Sequence, residues 1–572
     1  MANSDPTSQS GHGFPWKAAG TIAVAVGILA GAHWYGDHSK GWNPSTFLQA
    51  WEYHMPQRPK PLVPPQAEAR QSTGRAPGQP EAISAVMVDD YLVLDPFFAA
   101  LWQLEQKKSA AEKSTVEKGT TETVAVETGA EEVVTVVHYG DSPTTADLIT
   151  GDVREQLQER FGDAGYGFNL TAKPWAWYGH RHVEISDSGW LSSQKDATGV
   201  GRYKQGSYGL GGAVFAGSSG AHTTYTLTGA PQASVIVHYL TYPGGGSFSV
   251  GAGDATLETV STDAPEEAVA TKQVVLPEGA TKVSLRVTSG TVKQFGVDFR
   301  TNHSGVLYDS LGLNGATTTI LSRTFEPKLL TESLRAARPQ LVVINYGTNE
   351  SQFSGLVSTL EKELTMAIAN IRAAAPGVPI LIMSPMDRGD RQGGEIVTQA
   401  EIPQIVAIQK KVAAEDGCAF FDTYDAMGGE GTVGRWYEAQ PRLMTADLIH
   451  PTPPGALLVA NLLMENLNAG YDRWKRTHGI VTGATALKGP PVVAAPRPKP
   501  SPAVKKLQEA APAGNAVPDV APDAVHVPAG HAPAVGAPAD GAVPTAVPAP
   551  ASGVPEAAGS SAASSNSTQR PQ

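Results

Sequence analysis

Ser142 and Asn349 each sit where an apolar run of this 572-residue chain gives way to polar sequence, and Asp447 and His450 sit three residues apart before the last helical pattern. Ser142 follows the run VVTVVHY within "VVTVVHYGDSPTTADLITGDVREQLQERF". Asn349 follows another in "INYGTNES", and Asp447 and His450 lie close together in "TADLIHPTPPG". Attack by a hydroxyl needs a nucleophile, a base, a group that orients the base, and donors for the oxyanion. Ser142 offers the hydroxyl, His450 the imidazole, Asp447 the carboxylate and Asn349 an amide donor. Each residue also has a plainer use. Serine before a helix is an ordinary N-cap, asparagine an ordinary turn residue, and His450 and Asp447 could be surface neighbours. Pro143 narrows the chemistry further. In a G-x-S-x-G elbow the residue after the serine donates its backbone N–H to the oxyanion. Proline has no N–H, and Thr144 stands where the second glycine would be. Any oxyanion hole here must use other donors, such as the N–H of Ser142 itself.

The elements around these residues read as alternating strands and helices. VVTVVHY is a near-continuous β-branched run, the pattern of a strand buried on both faces. Ile149, Val153 and Leu157 then recur at helical spacing. The alternation returns as QLVVINYG, LEKELTMAIANIRAAAPG, VPILIMSP, IPQIVAIQKKVAAEDG, CAFFDTYDAM and PGALLVANLLMENLNAGYDRWK. This predicts a parallel sheet covered by helices, an α/β fold of three layers. Parallel strands point one way, so the loops bearing Ser142, Asn349 and His450 fall on the carboxyl edge, where ligands of open α/β sheets bind. Residues 203–302 differ. They are short β-type runs divided by Gly, Pro and Ser, which predicts an antiparallel β-sandwich or jelly-roll inserted into the α/β domain. The α/β domain is thus expected over 132–202 and 303–487.

The ends are of another kind. Ala18 to Trp34 carries no charge and follows Lys17, which predicts an N-terminal membrane anchor or a signal peptide over 1–36 and an exported protein. Residues 37–131 read as a linker, with a helix near 95–107 where Asp95 can cap and Pro96 fits the first turn. Residues 488–572 are Pro/Ala-rich and predict a disordered tail. The net charge of -12 speaks against nucleic acid as a partner. The single cysteine, Cys418, excludes an internal disulfide and reads as a small core residue.

Taken in order, "GDS" after the first strand, a glycine in a middle loop, "GTN" and "DLIH" resemble the four blocks of the GDSL or SGNH hydrolases. The resemblance implies Ser142 as nucleophile, His450 as base and Asp447 as the residue orienting it. It implies oxyanion donors from the N–H of Ser142, the side chain of Asn349 and a glycine of "LGLNGATT", with Gly315 chosen and Gly312 the runner-up. Pro143 replaces the usual Leu, and Glu350 replaces the usual Asp after Asn349. An exported domain of this type with an inserted β module resembles the Gram-negative periplasmic peptidoglycan O-acetylesterases. The substrate so implied is an O-acylated polysaccharide or peptidoglycan of the cell envelope, and no cofactor is implied. An O-acetyltransferase would use the same residues, and a non-catalytic envelope-binding protein could keep the fold.

Three further groups have a use to weigh. His180 and His182 in "YGHRHVE" could share a strand face and suggest a metal, but no third ligand is evident. "PWAWYGH" (174–180) could shape a pocket or simply pack. Tyr239, Tyr242 and Phe248 could stack on sugars, with core packing as the default.

Overall fold

The computed structural model describes residues 87–90, 92–118, 132–192 and 207–480. The apolar run 18–34, most of the linker and the Pro/Ala-rich tail lie outside the described residues. Along the chain, strand β1 (Met87–Val88) precedes helix α1 (Asp95–Lys118), β2 (Val133–Gly140), the short turn α2 (Ser142–Thr145) and α3 (Leu148–Phe161). Then come β3 (Gly167–Leu170), β4 (Val183–Ser192), β5 (Phe215–Leu227), β6 (Ser234–Thr241), β7 (Ser247–Ala252), β8 (Ala255–Ser261), β9 (Ala268–Val275), β10 (Lys282–Ser289) and β11 (Thr291–Arg300). The remainder is β12 (Gly305–Gly312), α4 (Pro327–Ala337), β13 (Leu341–Asn345), α5 (Ser354–Ala374), β14 (Ile380–Met383), the hairpin β15 (Gly389–Gln392) and β16 (Glu395–Thr398), α6 (Glu401–Asp416), β17 (Ala419–Phe421), α7 (Thr423–Ala426), α8 (Thr432–Glu438) and α9 (Pro453–Thr477).

The α/β expectation is met by a six-stranded sheet in the order β1-β17-β14-β13-β2-β12. Its strands are parallel except β1, which pairs antiparallel with β17 at the edge. Alternate residues of each strand bury on opposite faces, as the period of two requires. Val134 and Val136 pack with Ile149, Val153 and Leu157 of α3, Leu463 of α9 and Phe97 of α1. Val137 and Tyr139 pack on the other side with Leu330 of α4, Ile368 of α5 and the β region. Cys418 is buried in this second core, as a small apolar residue would be. Helix α1 runs on to Lys118, through residues whose charges give no apolar stripe to read.

The other large sheet has nine strands in one hydrogen-bonded network, all antiparallel. Two long strands hold it together by changing partners. On one side β5 pairs first with β11 and then with β10, and β11 pairs first with β5 and then with β3. This antiparallel region begins with β3 and β4, upstream of the boundary expected at 203. Its core is also continuous with one face of the parallel sheet, since Phe168, Phe295 and Val297 belong to the same buried cluster as Tyr139 and Ile344. Tyr239 and Phe248 meet edge to face at 5.3 Å inside that cluster, so core packing is their use. Tyr242 is half-buried, and its hydroxyl donates to the Thr291 carbonyl at 2.6 Å.

Asp309 marks the seam between the sheets. Its buried Oδ1 accepts the N–H of Phe168 at 2.9 Å. Burial first, then the charge of Asp298, pushes this carboxyl well above the ordinary carboxylate range. A raised folded-state value means stability that is full below the ordinary value of 3.8 and is lost as pH climbs through the higher one. Asp309→Asn keeps an acceptor for the Phe168 N–H and removes the titration. Its melting temperature should therefore fall less between about pH 4 and pH 8 than that of the native chain. Parallel curves for the two proteins would clear Asp309 of any part in that slope.

Candidate active site

The register of the parallel sheet brings the loops together. Gly140, the last residue of β2, pairs with Gly312 on one side and Asn345 on the other, so three strands end level. The loops that follow carry Ser142, Gly315 and Asn349. The chain turns sharply after β2: the N–H groups of Thr144 and Thr145 both donate to the Asp141 carbonyl, at 3.1 and 3.0 Å. A side chain at Gly140 would collide with Thr144, and one at Gly312 with the Thr145 backbone. Glycine at both positions lets the turn sit against the strand ends.

Behind the turn lies a buried ion pair. Arg154 donates to both carboxylate oxygens of Asp147, at 3.0 and 2.6 Å, and both side chains are almost wholly buried. The Arg181 N–H donates to the same carboxylate at 2.9 Å, which anchors segment 174–182 against the turn. His180 and His182 do not share a ligand. His180 faces Arg154 and the Arg181 carbonyl, whereas His182 pairs with Glu155 at 3.2 Å. Among the described residues no group of three or more His, Cys, Asp or Glu could hold a metal ion.

Asp447 and His450 arrive from the loop between α8 and α9. Leu448 takes a left-handed conformation, φ 60°, which folds this loop back on itself. Asp447 Oδ1 accepts the N–H groups of Ile449 at 2.9 Å and His450 at 3.0 Å, and the Thr445 hydroxyl at 2.5 Å. Its Oδ2 lies 2.7 Å from His450 Nδ1. His450 Nε2 in turn lies 2.8 Å from Ser142 Oγ. Burial alone would raise the Asp447 carboxyl, but the hydrogen bonds from His450 and Thr445 outweigh it and hold the group well below the usual range. An ionised carboxylate can only accept, so Nδ1 carries the imidazole proton and Nε2 is left to accept from the serine.

Asn349 closes the other side. Its Nδ2 donates to the Ala316 carbonyl at 2.8 Å, and a carboxamide nitrogen has a second N–H to give. Gly315 sits at the third position of the turn Leu313–Ala316 with φ 70°, the conformation a type II turn demands there. Gly312, the alternative, is a buried strand residue. Sequence reasoning noted Glu350 only as a departure from pattern and missed its work. Its Oε1 accepts both the N–H and the hydroxyl of Thr318, each at 2.7 Å, so it ties the Gly315 loop to the Asn349 loop. Arg388 was missed too. It donates to the Thr348 carbonyl at 2.9 Å and to Ser351 Oγ at 3.2 Å from the loop after β14. Asp141 is fully buried beside the serine, and burial pushes its carboxyl up to about 7. Only position after the strand VPILIMSP could have flagged Arg388; Glu350 stood beside Asn349 in plain view.

A hydroxyl, an imidazole and an ionised carboxylate in one hydrogen-bonded line are equipped for acyl transfer. Residues 284–458 match the GDSL-like Lipase/Acylhydrolase family. The chain carries a GDSL-type acylhydrolase domain. It is accordingly an esterase of the SGNH type. The matched span contains Gly315, Asn349, Asp447 and His450, whereas Ser142 lies ahead of it, beyond most of the antiparallel region. Among solved structures the acylhydrolase is similar to a peptidoglycan O-acetylesterase, with a TM-score of 0.55 and 20% identity over 68% of this chain and 99% of that one. An acetylxylan esterase from Geobacillus stearothermophilus matches with 20% identity over 28% of this chain and 73% of that one, at a TM-score of 0.23. No curated protein matches the chain.

Proposed function

We propose that this esterase removes O-acyl groups, O-acetyl above all, from a cell-envelope polysaccharide of the peptidoglycan type through Ser142, His450 and Asp447. The line of hydrogen bonds at 2.8 and 2.7 Å carries the reading. Ser142 Oγ attacks the ester carbonyl as its proton passes to His450 Nε2, and Asp447 steadies the imidazolium so formed. The oxyanion forms against the N–H groups of Ser142 and Gly315 and the amide of Asn349. The tetrahedral intermediate collapses as His450 protonates the departing sugar oxygen, which leaves an acyl group on Ser142. Water, deprotonated by His450, releases the acid. His450 and Asp447 side chains are 36% and 29% exposed, so the base is within reach of water for the second half of the reaction.

Asn349→Ala is expected to lower kcat by about 10² to 10³, the effect of one oxyanion donor. Steady-state turnover of p-nitrophenyl acetate measures it, and a native rate would strike Asn349 from the oxyanion hole. Acetate release from O-acetylated peptidoglycan, with and without added glycan acceptor, tests the substrate and the reaction together. Free acetate in both cases supports hydrolysis, and acetylated acceptor would make the chain a transferase. The antiparallel region, whose strands β5 and β11 switch partners, is read as a jelly-roll module of carbohydrate-binding kind. The apolar run 18–34 would place the enzyme at the membrane, facing the envelope. Among the described residues no helix is long and apolar enough to cross a membrane. Membrane fractionation of the full chain against one lacking residues 1–36 tests that placement.

A further inference from the structure

Segment 174–180 splits its aromatic residues. Tyr178 is buried, and its hydroxyl accepts the Leu170 N–H at 3.0 Å. Trp175 packs partly against the core. Trp177, between them, is 43% exposed, and it is the one aromatic among the large apolar side chains exposed in the described residues. A single exposed apolar side chain is ordinary on a protein surface. This one stands on a base hydrogen-bonded to the turn that carries Ser142. The Gly179 N–H donates to the Thr145 carbonyl at 3.3 Å, so the segment is bonded to the same turn that presents Ser142. The Tyr178 N–H closes a tight turn on the Trp175 carbonyl at 3.1 Å, with Trp177 inside it. The buried Asp147 holds Arg181, two residues past Gly179, by its N–H. Trp175, Tyr178, Gly179 and Arg181 are thus each held by a backbone hydrogen bond around an exposed indole.

We infer that Trp177 is a sugar-stacking platform: it binds a pyranose ring of the glycan next to the sugar whose ester meets Ser142. This rests on the proposed action on an envelope polysaccharide. An indole face is flat, apolar and electron-rich, and a pyranose offers it a face of C–H groups while its hydroxyls stay in water. Little ordering entropy is spent when the platform is already fixed. A polymer stacked on the indole would present its esters to the serine, whereas a small ester such as p-nitrophenyl acetate carries no sugar ring to stack there.

The experiment compares full-length native chain, Trp177→Ala and Trp177→Phe. The ratio of kcat/KM on O-acetylated peptidoglycan to kcat/KM on p-nitrophenyl acetate is expected to fall about tenfold in Trp177→Ala, mainly through KM, the scale of one stacked aromatic. Trp177→Phe should recover most of it. An unchanged ratio, whether both rates hold or both drop together, would overturn the platform. Binding of an N-acetylglucosamine oligosaccharide to each chain carrying Ser142→Ala separates the two readings. Oligosaccharide binding that Trp177→Ala weakens, together with no acetate release from the polymer by the chain with Ser142 intact, sinks the proposed substrate and leaves the platform standing. No oligosaccharide binding by the chain with Trp177 intact, or binding that Trp177→Ala leaves as it was, rejects it.

Discussion

Ser142→Ala is expected to lower turnover of p-nitrophenyl acetate by roughly 10⁴-fold or more, as loss of a serine nucleophile does elsewhere. The reason is geometric. Among the described residues, Ser142 Oγ is the group bonded to His450 Nε2, at 2.8 Å. Without that oxygen, water must attack unaided, helped only by the oxyanion donors and by substrate binding. The fold should survive the change. Ser142 starts a turn whose closing hydrogen bonds run from Thr144 and Thr145 to Asp141, and the serine side chain caps none of them. Melting temperature and circular dichroism should match the native chain while the rate collapses. A variant that retained even a tenth of the rate would mean another nucleophile.

Asp447→Asn should cost nearly as much, about 10⁴-fold in kcat. The side-chain oxygen that replaces Oδ1 can still accept from the N–H groups of Ile449 and His450, so the loop keeps its shape. The other carboxylate oxygen is where the damage falls. An amide N–H there faces His450 Nδ1 as a donor and favours the tautomer with its proton on Nε2, which cannot take the serine proton. The positive imidazolium also loses the charge that stabilises it. Asp447→Ala should be similar in rate but less stable, because the backbone N–H groups of Ile449 and His450 lose their acceptor. Rates within tenfold of native for Asp447→Asn would show that another group orients His450.

The parallel sheet could be read from the sequence because its strands bury both faces. VVTVVHY and QLVVINYG are continuous apolar runs, and a run of that kind followed by a helical stripe has few other readings. The places of Ser142 and Asn349 followed from the same fact: the polar residue just past each run must lie on the carboxyl edge. What escaped lacks a local signal. GFNL is four residues long, and only its pairing with β11 reveals a strand. β4 does alternate buried and exposed at its start, but its interior SDSG reads as a turn. Helix α4 carries signals that went unread: Glu326 caps it by accepting the Leu329 N–H, and Pro327 occupies its first turn. The Arg154–Asp147 pair, the Glu350–Thr318 tie and the Arg388 contacts are tertiary, so the partner of each charge is fixed by the fold and not by its neighbours in sequence. Trp177 and Tyr178 are adjacent, yet one is exposed and the other buried; in an irregular segment no periodicity assigns the faces.

On the proposed mechanism, the loops after β2 and before α9 meet to make Ser142 a nucleophile. Acid quenching of the full chain during turnover of p-nitrophenyl acetate, followed by peptide mass spectrometry, tests it most directly. One acetyl group is expected on the peptide containing Ser142, at a level that falls sharply in His450→Ala. An unmodified Ser142 during turnover, or acetyl carried by a different residue, would contradict the account.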